Sequence, residues 1–136
     1  MAIAARSSPA QARKSASSSF ELWTWFFMRI SGLLLVFLVL GHFTIVHLIG
    51  GGIDRVDFAF VSGRWASPFW QTWDWLMLFL GMLHGANGLK SIINEYVHRP
   101  GRRAALKATL YVLTFVFILL GSLVILTFDP SKGASL

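Results

Sequence analysis

Three long runs without a charged residue constrain this chain more than any other feature of its sequence. Residues 30–49, 75–89 and 108–128 contain no Asp, Glu, Lys or Arg, and aromatic and apolar residues extend the first run back to residue 22. A helix of about 20 residues crosses the roughly 30 Å hydrocarbon core of a bilayer. We therefore predict an all-α membrane protein with three transmembrane helices, at about residues 22–49, 69–97 and 104–128.

The runs end at residues that stop helices. Three consecutive glycines at positions 50–52 follow the first run, Pro100 and Gly101 follow the second, and Asp129 and Pro130 follow the third. Glycine and proline both disfavour continued helix. Tryptophans crowd the start of the second helix, as is typical of the headgroup level of a membrane.

The chain divides into one domain and two tails. Residues 20–130 form the predicted three-helix anchor domain, and residues 131–136 form a short C-terminal tail. Residues 1–19 are rich in Ala and Ser, contain three basic residues and have no apolar run. We predict that this N-terminal tail is disordered.

The formal net charge of +6 is distributed unevenly along the chain. Residues 1–29 carry +3 and residues 90–107 carry +4, whereas residues 54–74 carry −1 and residues 129–136 carry 0. Because Lys and Arg prefer the cytoplasmic side of a membrane, we predict a cytoplasmic N-terminus and an outer C-terminus. Topology accounts for the basic residues, which argues against nucleic-acid binding.

The absence of cysteine limits the metal chemistry of the chain. Without a thiol, this chain supplies no disulfide, no thiolate zinc site and no Cys-ligated iron–sulfur cluster. Any metal must be held by the four histidines or by carboxylates.

His84 is the deepest ionisable residue of the second predicted helix, where such a side chain is costly and needs a partner. At about 100° per residue, Gly81 and Gly88 fall on the same stripe as His84, which would leave a flat slot for a porphyrin face. The alternative is close helix packing through Gly81 and Gly85, with His84 hydrogen-bonded across an interface. The spacing alone leaves both interpretations open.

Two further histidines lie in the first predicted helix. His42 follows Gly41 and is the better candidate for a buried ligand. His47 is turned about 140° away around the helix and lies beside the glycine stop. Either imidazole could instead be satisfied by a neighbouring helix or by water. His98 lies in the basic segment and is expected to be solvated.

Polar side chains are predicted at the cytoplasmic ends of the first two helices. Arg29 lies about 20 Å along a helix from His42. Tyr96 lies about 18 Å from His84. We therefore expect Arg29, Ser31 and Tyr96 to share one membrane level and to bind haem propionates or a quinone. Ordinary interfacial anchoring explains Arg29 and Tyr96 about as well.

Three short motifs occur in the first two predicted helices and in the loop between them. They are Arg29-x-Ser31-Gly32, His84-x-x-x-Gly88 followed by Glu95-Tyr96, and Arg64-Trp65-Ala66-Ser67-Pro68-Phe69-Trp70. Together they resemble the membrane-anchor D subunit of succinate dehydrogenase, in its actinobacterial form. The resemblance covers residues 23–129 and does not explain the basic N-terminal tail.

The resemblance implies a complex of four kinds of subunit in a bacterial plasma membrane. A flavoprotein (A) oxidises succinate, an iron–sulfur protein (B) relays electrons, and two anchors (C and D) hold the quinone, expected to be menaquinone. This chain would be a multi-pass anchor without succinate chemistry of its own. Because three helices cannot surround a haem, a second multispan chain is expected. Higher-order oligomers of the complex are compatible with this assignment.

The resemblance also implies site residues. The histidine at the position of His84 is an axial ligand of haem b, with the second ligand coming from the partner anchor. Members that reduce menaquinone commonly hold two haems, and His42 would then ligate the second, distal haem. One haem or two is left open by the sequence.

A quinone site is implied near the end of the second helix. The tyrosine at the position of Tyr96 lies beside quinone in single-haem members, with the region of Arg29 and Ser31 nearby. Glu95 stands where many relatives have Asp. This keeps the carboxylate but leaves its role in proton handling open.

Two alternatives remain beside the haem-binding anchor. The first is a structural anchor that docks the soluble subunits and contributes no cofactor ligand. The second is a small transporter accessory or holin-like protein, in which the buried histidines would be incidental.

Overall fold

The computed structural model describes the backbone of residues 9–133 and the side chains of residues 19–131. Its long helices are α1 (Pro9–Phe43), α3 (Pro68–Tyr96) and α4 (Pro100–Thr127), and a short helix α2 (Phe58–Trp65) lies between the first two. Three segments are long and apolar enough to cross a membrane: Ser19–Leu48, Pro68–Tyr96 and Pro100–Thr127. The described residues contain no β-strand. The predicted all-α fold with three spanning helices is confirmed.

The second and third spanning helices begin at prolines. Pro68 and Pro100 each occupy the first turn, where a missing N–H costs nothing and the fixed φ suits a helix. The prediction placed Pro100 after the second helix and began the third at residue 104. This start was wrong, because Pro100 initiates α4, and only residues 97–99 separate it from α3.

The first helix begins earlier than predicted. Its backbone is helical from Pro9 instead of from residue 22, so it extends into the segment predicted to be disordered. Alanine, glutamine, arginine and lysine in this segment are good helix formers. The disorder predicted for residues 1–8 lies outside the described residues.

The glycine stop forms as expected. A turn of π-helix, Thr44–Leu48, ends α1, and Gly50, Gly51 and Gly52 then have φ values of 63°, 101° and 64°. Three successive residues in this left-handed region require glycine. Further along the same loop, Asp57 caps α2 by accepting a hydrogen bond from the backbone N–H of Phe60 at 2.7 Å.

Helix α3 packs against both α1 and α4. Gly121 of α4 and Gly41 of α1 face α3 so closely that an added Cβ would lie 2.5 Å from Leu78 Cδ2 and 2.8 Å from Trp73 Cζ2, respectively. Small residues of this kind let membrane helices approach each other. The Trp73 indole also donates to the carbonyl of Leu38 at 3.3 Å.

Most large apolar side chains are exposed. Among the described residues, only five apolar and two polar side chains are buried: Leu38, Val46, Ala86, Ile93, Ile125, Ser31 and Thr114. Such apolar surfaces must be covered by a lipid bilayer or by a partner chain. We call the end at the α3–α4 connection the basic end, and the end at residues 50–52 the glycine end.

Candidate functional site

His84 lies in α3 and contacts α1. Its Nδ1 is 2.9 Å from the hydroxyl of Ser31, which is only 2% exposed. A hydrogen bond from Nδ1–H to this oxygen leaves the lone pair on Nε2. The Ser31 hydroxyl then has the carbonyl of Met28, 3.5 Å away, as its own acceptor.

The next residue of α1 makes room for the imidazole. A Cβ on Gly32 would lie 3.2 Å from Cε1 of His84, closer than ordinary packing allows. The motif Arg29-x-Ser31-Gly32 thus supplies both the hydrogen-bond partner and the space for this ring. Arg29 itself points elsewhere, with its guanidinium 4.2 Å from the ring centre of Trp25.

The glycine stripe of α3 faces α1 instead of forming an open slot. An added Cβ at Gly81 would lie 3.8 Å from Leu35, and one at Gly88 would lie 3.9 Å from Met28. The stripe is where predicted, but side chains of α1 cover it. Gly85, the second glycine of the helix-packing alternative, meets no atom within 4 Å, so that alternative holds for Gly81 and not for Gly85. Open space near His84 is instead a cavity of about 410 Å³, lined by Gly32, Leu35, Val36, Val39, Leu40 and His84.

His42 lies near the glycine end and is held by an acid. Its Nδ1 is 3.2 Å from Oδ1 of Asp74 in α3. Asp74 also accepts two hydrogen bonds from Nη2 of Arg64, at 3.1 and 3.2 Å, and one from the indole of Trp65 at 2.9 Å. We call these four residues the Asp74 cluster.

Charge within the Asp74 cluster is compensated. The side chains of Arg64 and Asp74 are 9% and 11% exposed, whereas that of His42 is 33% exposed. Trp70 covers the guanidinium of Arg64, whose carbon lies 4.5 Å from the ring centre. The buried acid therefore has a buried cation beside it and a half-exposed imidazole on its open side.

Sequence reasoning missed this cluster, because the partners come from different elements. Arg64 and Trp65 end α2, which turns back onto the start of α3, and nothing in their spacing fixes that turn. The positions of the charged residues alone could have indicated the pairing of Asp74 with Arg64. A buried Asp between apolar segments requires a cation, and Arg64 is the nearest in sequence.

The two histidines lie at different depths. Ser31 marks the level of His84 and Asp74 marks the level of His42. Ten to eleven residues separate these levels along α3 and α1, a rise of about 16 Å. His84 is therefore nearer the basic end, and His42 is nearer the glycine end.

The predicted common level of Arg29, Ser31 and Tyr96 is wrong. Ser31 touches His84, and Tyr96 lies about 18 Å further along α3. The prediction had measured from two histidines as though they shared one depth. Tyr96 is 74% exposed, and Glu95 beside it is also exposed.

The remaining two histidines lie outside the two sites described above. His47 lies in the π-helical turn and stacks on Phe43, with ring centres 4.9 Å apart. His98 is exposed in the short connection between α3 and α4. The exposure of His98 agrees with the solvated position expected for it, whereas the interfacial position expected for His47 stays a prediction.

The Nε2 atoms of His84 and His42 are suited to act as axial ligands of a haem. Each of His84 and His42 has its Nδ1 engaged, and Nε2 of neither ring has a hydrogen bond within the described residues. Metal-ligating histidines commonly show this pattern. The part of the chain with described side chains has no group of three or more His, Cys, Asp or Glu able to hold a metal ion. One imidazole per site fits a macrocycle that supplies the other ligands.

Comparison with known proteins gives a consistent result. The sequence profile described as "Succinate dehydrogenase/Fumarate reductase transmembrane subunit" matches residues 6–125, which include both histidine sites. The chain is also 31% identical over 107 residues to the "Succinate dehydrogenase hydrophobic membrane anchor subunit" of Archaeoglobus fulgidus. That alignment covers 76% of this chain and 90% of the relative.

Proposed function

The chain belongs to the family of succinate dehydrogenase/fumarate reductase transmembrane subunits, and we propose that it binds haem b and helps to pass electrons to a quinone. The observation that carries this proposal is the pair of histidines, each fixed through Nδ1 and free at Nε2. Membership in this family removes the transporter-accessory and holin-like alternative.

His84 is the proposed axial ligand of the haem nearer the iron–sulfur subunit, and His42 that of a second haem. A b-type haem, when bound, supplies a one-electron carrier. Ser31 and Asp74 orient the two imidazoles, and Arg64 balances the charge of Asp74. His84 and His42 lie at depths about 16 Å apart, which supports two haem sites instead of one.

A partner anchor completes these sites. The cavity beside His84 is lined by a single face of α1 and one side chain of α3, and large apolar side chains around it are exposed. We assign this open face to the second anchor subunit (C), which supplies the other axial ligands. The iron–sulfur (B) and flavoprotein (A) subunits then dock at the basic end.

Of the four residues predicted to bind haem propionates or a quinone, three remain candidates and Ser31 does not. Tyr96 and Glu95 are exposed at the basic end, where an iron–sulfur subunit would deliver electrons. Arg29 lies two residues from Ser31, about 15 Å from the level of Tyr96, so it remains a candidate for haem propionates and not for a quinone beside Tyr96. Ser31 is buried against His84, and we assign it to that imidazole instead. Menaquinone is the proposed acceptor, in line with two haems.

The proposed orientation places the basic end in the cytoplasm of a bacterial cell. Residues 1–29 carry +3 and residues 90–107 carry +4, and the connection between α3 and α4 lies at this end. The glycine end, with the Asp74 cluster, then faces the outside.

Spectra of purified complexes test the haem proposal. Reduced-minus-oxidised difference spectra should show b-type bands in the wild type. His84→Ala and His42→Ala should each remove one set, while His47→Ala, the matched control in the same helix region, should remove none. Full haem content in both His84→Ala and His42→Ala would refute haem ligation by this chain.

One observation favours the purely structural anchor. Each imidazole already has a partner for its Nδ1 within the chain, so neither ring needs a metal to hold its position. A complex of normal subunit composition but without b-type bands would establish that alternative.

A further inference from the structure

A second cavity lies among all three long helices near the basic end. It measures about 440 Å³, and its polar lining residues include Thr24 of α1, Asn87 and Lys90 of α3, and Tyr111 of α4. His84 does not line it, so it is separate from the cavity beside that histidine. We propose that this cavity, the Lys90 cleft, binds an anionic phospholipid.

Lys90 is a cation without an anion. The ion pairs among the described residues all involve Asp74, so neither Glu21 nor Glu95 pairs with Lys90. Its ammonium group also has no hydrogen-bond partner within the described side chains. A charge in a membrane-spanning helix normally has a partner or faces water. The positive charge of Lys90 therefore needs an anion, and a lipid phosphate can supply it.

The ammonium group of Lys90 can reach the level of the lipid phosphates. The 29 residues of α3 extend about 44 Å, so each end projects roughly 7 Å beyond a 30 Å hydrocarbon core. Lys90 precedes Tyr96 by six residues, about 9 Å. Its long side chain can reach from there to the headgroup boundary.

The rest of the cleft suits the remainder of a lipid. The amide of Asn87 and the hydroxyl of Tyr111 have no partner within the described side chains and can bind phosphate or ester oxygens. Leu83 and Phe27 form an apolar wall for acyl carbons. Trp23, which also lines the cleft, is 71% exposed, so the cleft is open on this side in the single chain.

A net negative charge distinguishes the proposed ligand from other occupants. A neutral quinone could accept a hydrogen bond from Lys90 but would leave its charge without a counter-ion. A haem propionate would belong with His84, which lies outside the cleft. Basic pockets between membrane helices on the cytoplasmic side bind anionic headgroups, and this proposal does not depend on haem ligation.

The test uses the intact complex, stripped of lipid in detergent and titrated with phosphatidylglycerol or phosphatidylcholine. Native mass spectrometry should show tightly bound phosphatidylglycerol on the wild type. Lys90→Gln should bind it about fivefold more weakly, the effect of losing one basic contact. Lys90→Arg should retain binding, and Tyr111→Phe should weaken it. Arg102→Gln, an exposed cation at the same end, should match the wild type.

Three results would overturn the proposal. The first is unchanged phosphatidylglycerol binding in Lys90→Gln. The second is an equal loss in Arg102→Gln, which would mean diffuse attraction to a basic surface. The third is a shifted haem spectrum in Lys90→Gln with lipid binding intact, which would assign the cation to a propionate.

Discussion

Asp74 lies among apolar and aromatic residues of α3. It accepts hydrogen bonds from three side chains of α1 and α2. It connects His42 to Arg64 and Trp65, and both members of the acid–guanidinium pair are nearly buried. Removing one member of such a pair leaves the other charge uncompensated, which costs more than the pair itself contributes. Asp74 should therefore be a stability determinant of the glycine end as well as a support for His42.

Asp74→Asn should destabilise the protein by about 3 kcal/mol, because the charge of Arg64 would lose its partner. The amide keeps the size of the side chain and can still accept from Trp65. Thermal unfolding of the purified complex would measure the change. Asp54→Asn removes an exposed acid at the same end and should have little effect. Equal midpoints for both variants would contradict the importance of the Asp74 cluster.

Ser31→Ala should weaken haem retention without removing the proposed ligand. The change deletes the hydroxyl that holds Nδ1 of His84, and loss of such a partner typically lowers metal affinity about 10–100-fold. The potential of the corresponding haem should shift in a redox titration, whereas the other haem should not. Ser91→Ala, an exposed serine in the same helix as His84, serves as the control. Identical titrations for Ser31→Ala and wild type would show that the hydroxyl has no role.

Helix α4 is held to α3 by close approach and by polar contacts near the glycine end. Leu78 packs against Gly121, and the Trp75 indole donates to the hydroxyl of Ser122 at 3.0 Å. Gln71 donates to the carbonyl of Ile125 at 3.4 Å. These contacts fix the position of α4 along α3.

Gly121→Ala should destabilise the helix pair by about 1–3 kcal/mol, since the new Cβ would overlap Leu78. Leu78→Ala should partly relieve the effect, and the double variant should be more stable than the sum of the single changes predicts. Gly63→Ala meets no atom within 4 Å and should be neutral or stabilising. Thermal unfolding of the complex compares all four, and additivity of the two changes would disprove the contact.

The spanning helices were predictable, because each rests on a long charge-free run and on local stop signals. The boundary at Pro100 could not be predicted in this way. Proline is compatible with the first turn of a helix and with the segment after one, and the sequence does not distinguish the two. The start of α1 at Pro9 was missed for a related reason, since alanine-rich polar segments suit both helix and disorder.

The relative depth of the helices was not predictable. The offset between His42 and His84 depends on how residues 50–52 turn and on where Trp73 meets Gly41. Both are contacts between elements and have no local signature. His42 and His84 were therefore identified as candidates, while Ser31 was assigned to the wrong level and Arg64 was not recognised as a partner of Asp74.

The whole chain has an asymmetric charge distribution that predicts its orientation. Because the natural sequence has no cysteine, a single introduced thiol in this chain reports its own position. In intact cells, a membrane-impermeant maleimide should label Asp54→Cys and should leave His98→Cys unlabelled. Both sites are exposed. Membranes from permeabilised cells, stripped of the soluble subunits, should label both, and the reverse pattern in intact cells would invert the proposed orientation.

Three helices with so few buried side chains leave most of their apolar surface uncovered by the chain itself. The apolar faces and the cavity beside His84 are open in the single chain and need a second chain or lipid to cover them. In this account, the partner anchor contributes the opposite face of each haem site. The chain itself contributes positions, orientation and charge balance.

The haem content of the purified complex, measured as pyridine haemochrome per flavoprotein subunit, decides whether both histidines serve as ligands. The two fixed imidazoles predict a ratio near two. A ratio near one would restrict ligation to a single site. A ratio of zero in a complex with all subunits present would contradict haem binding altogether.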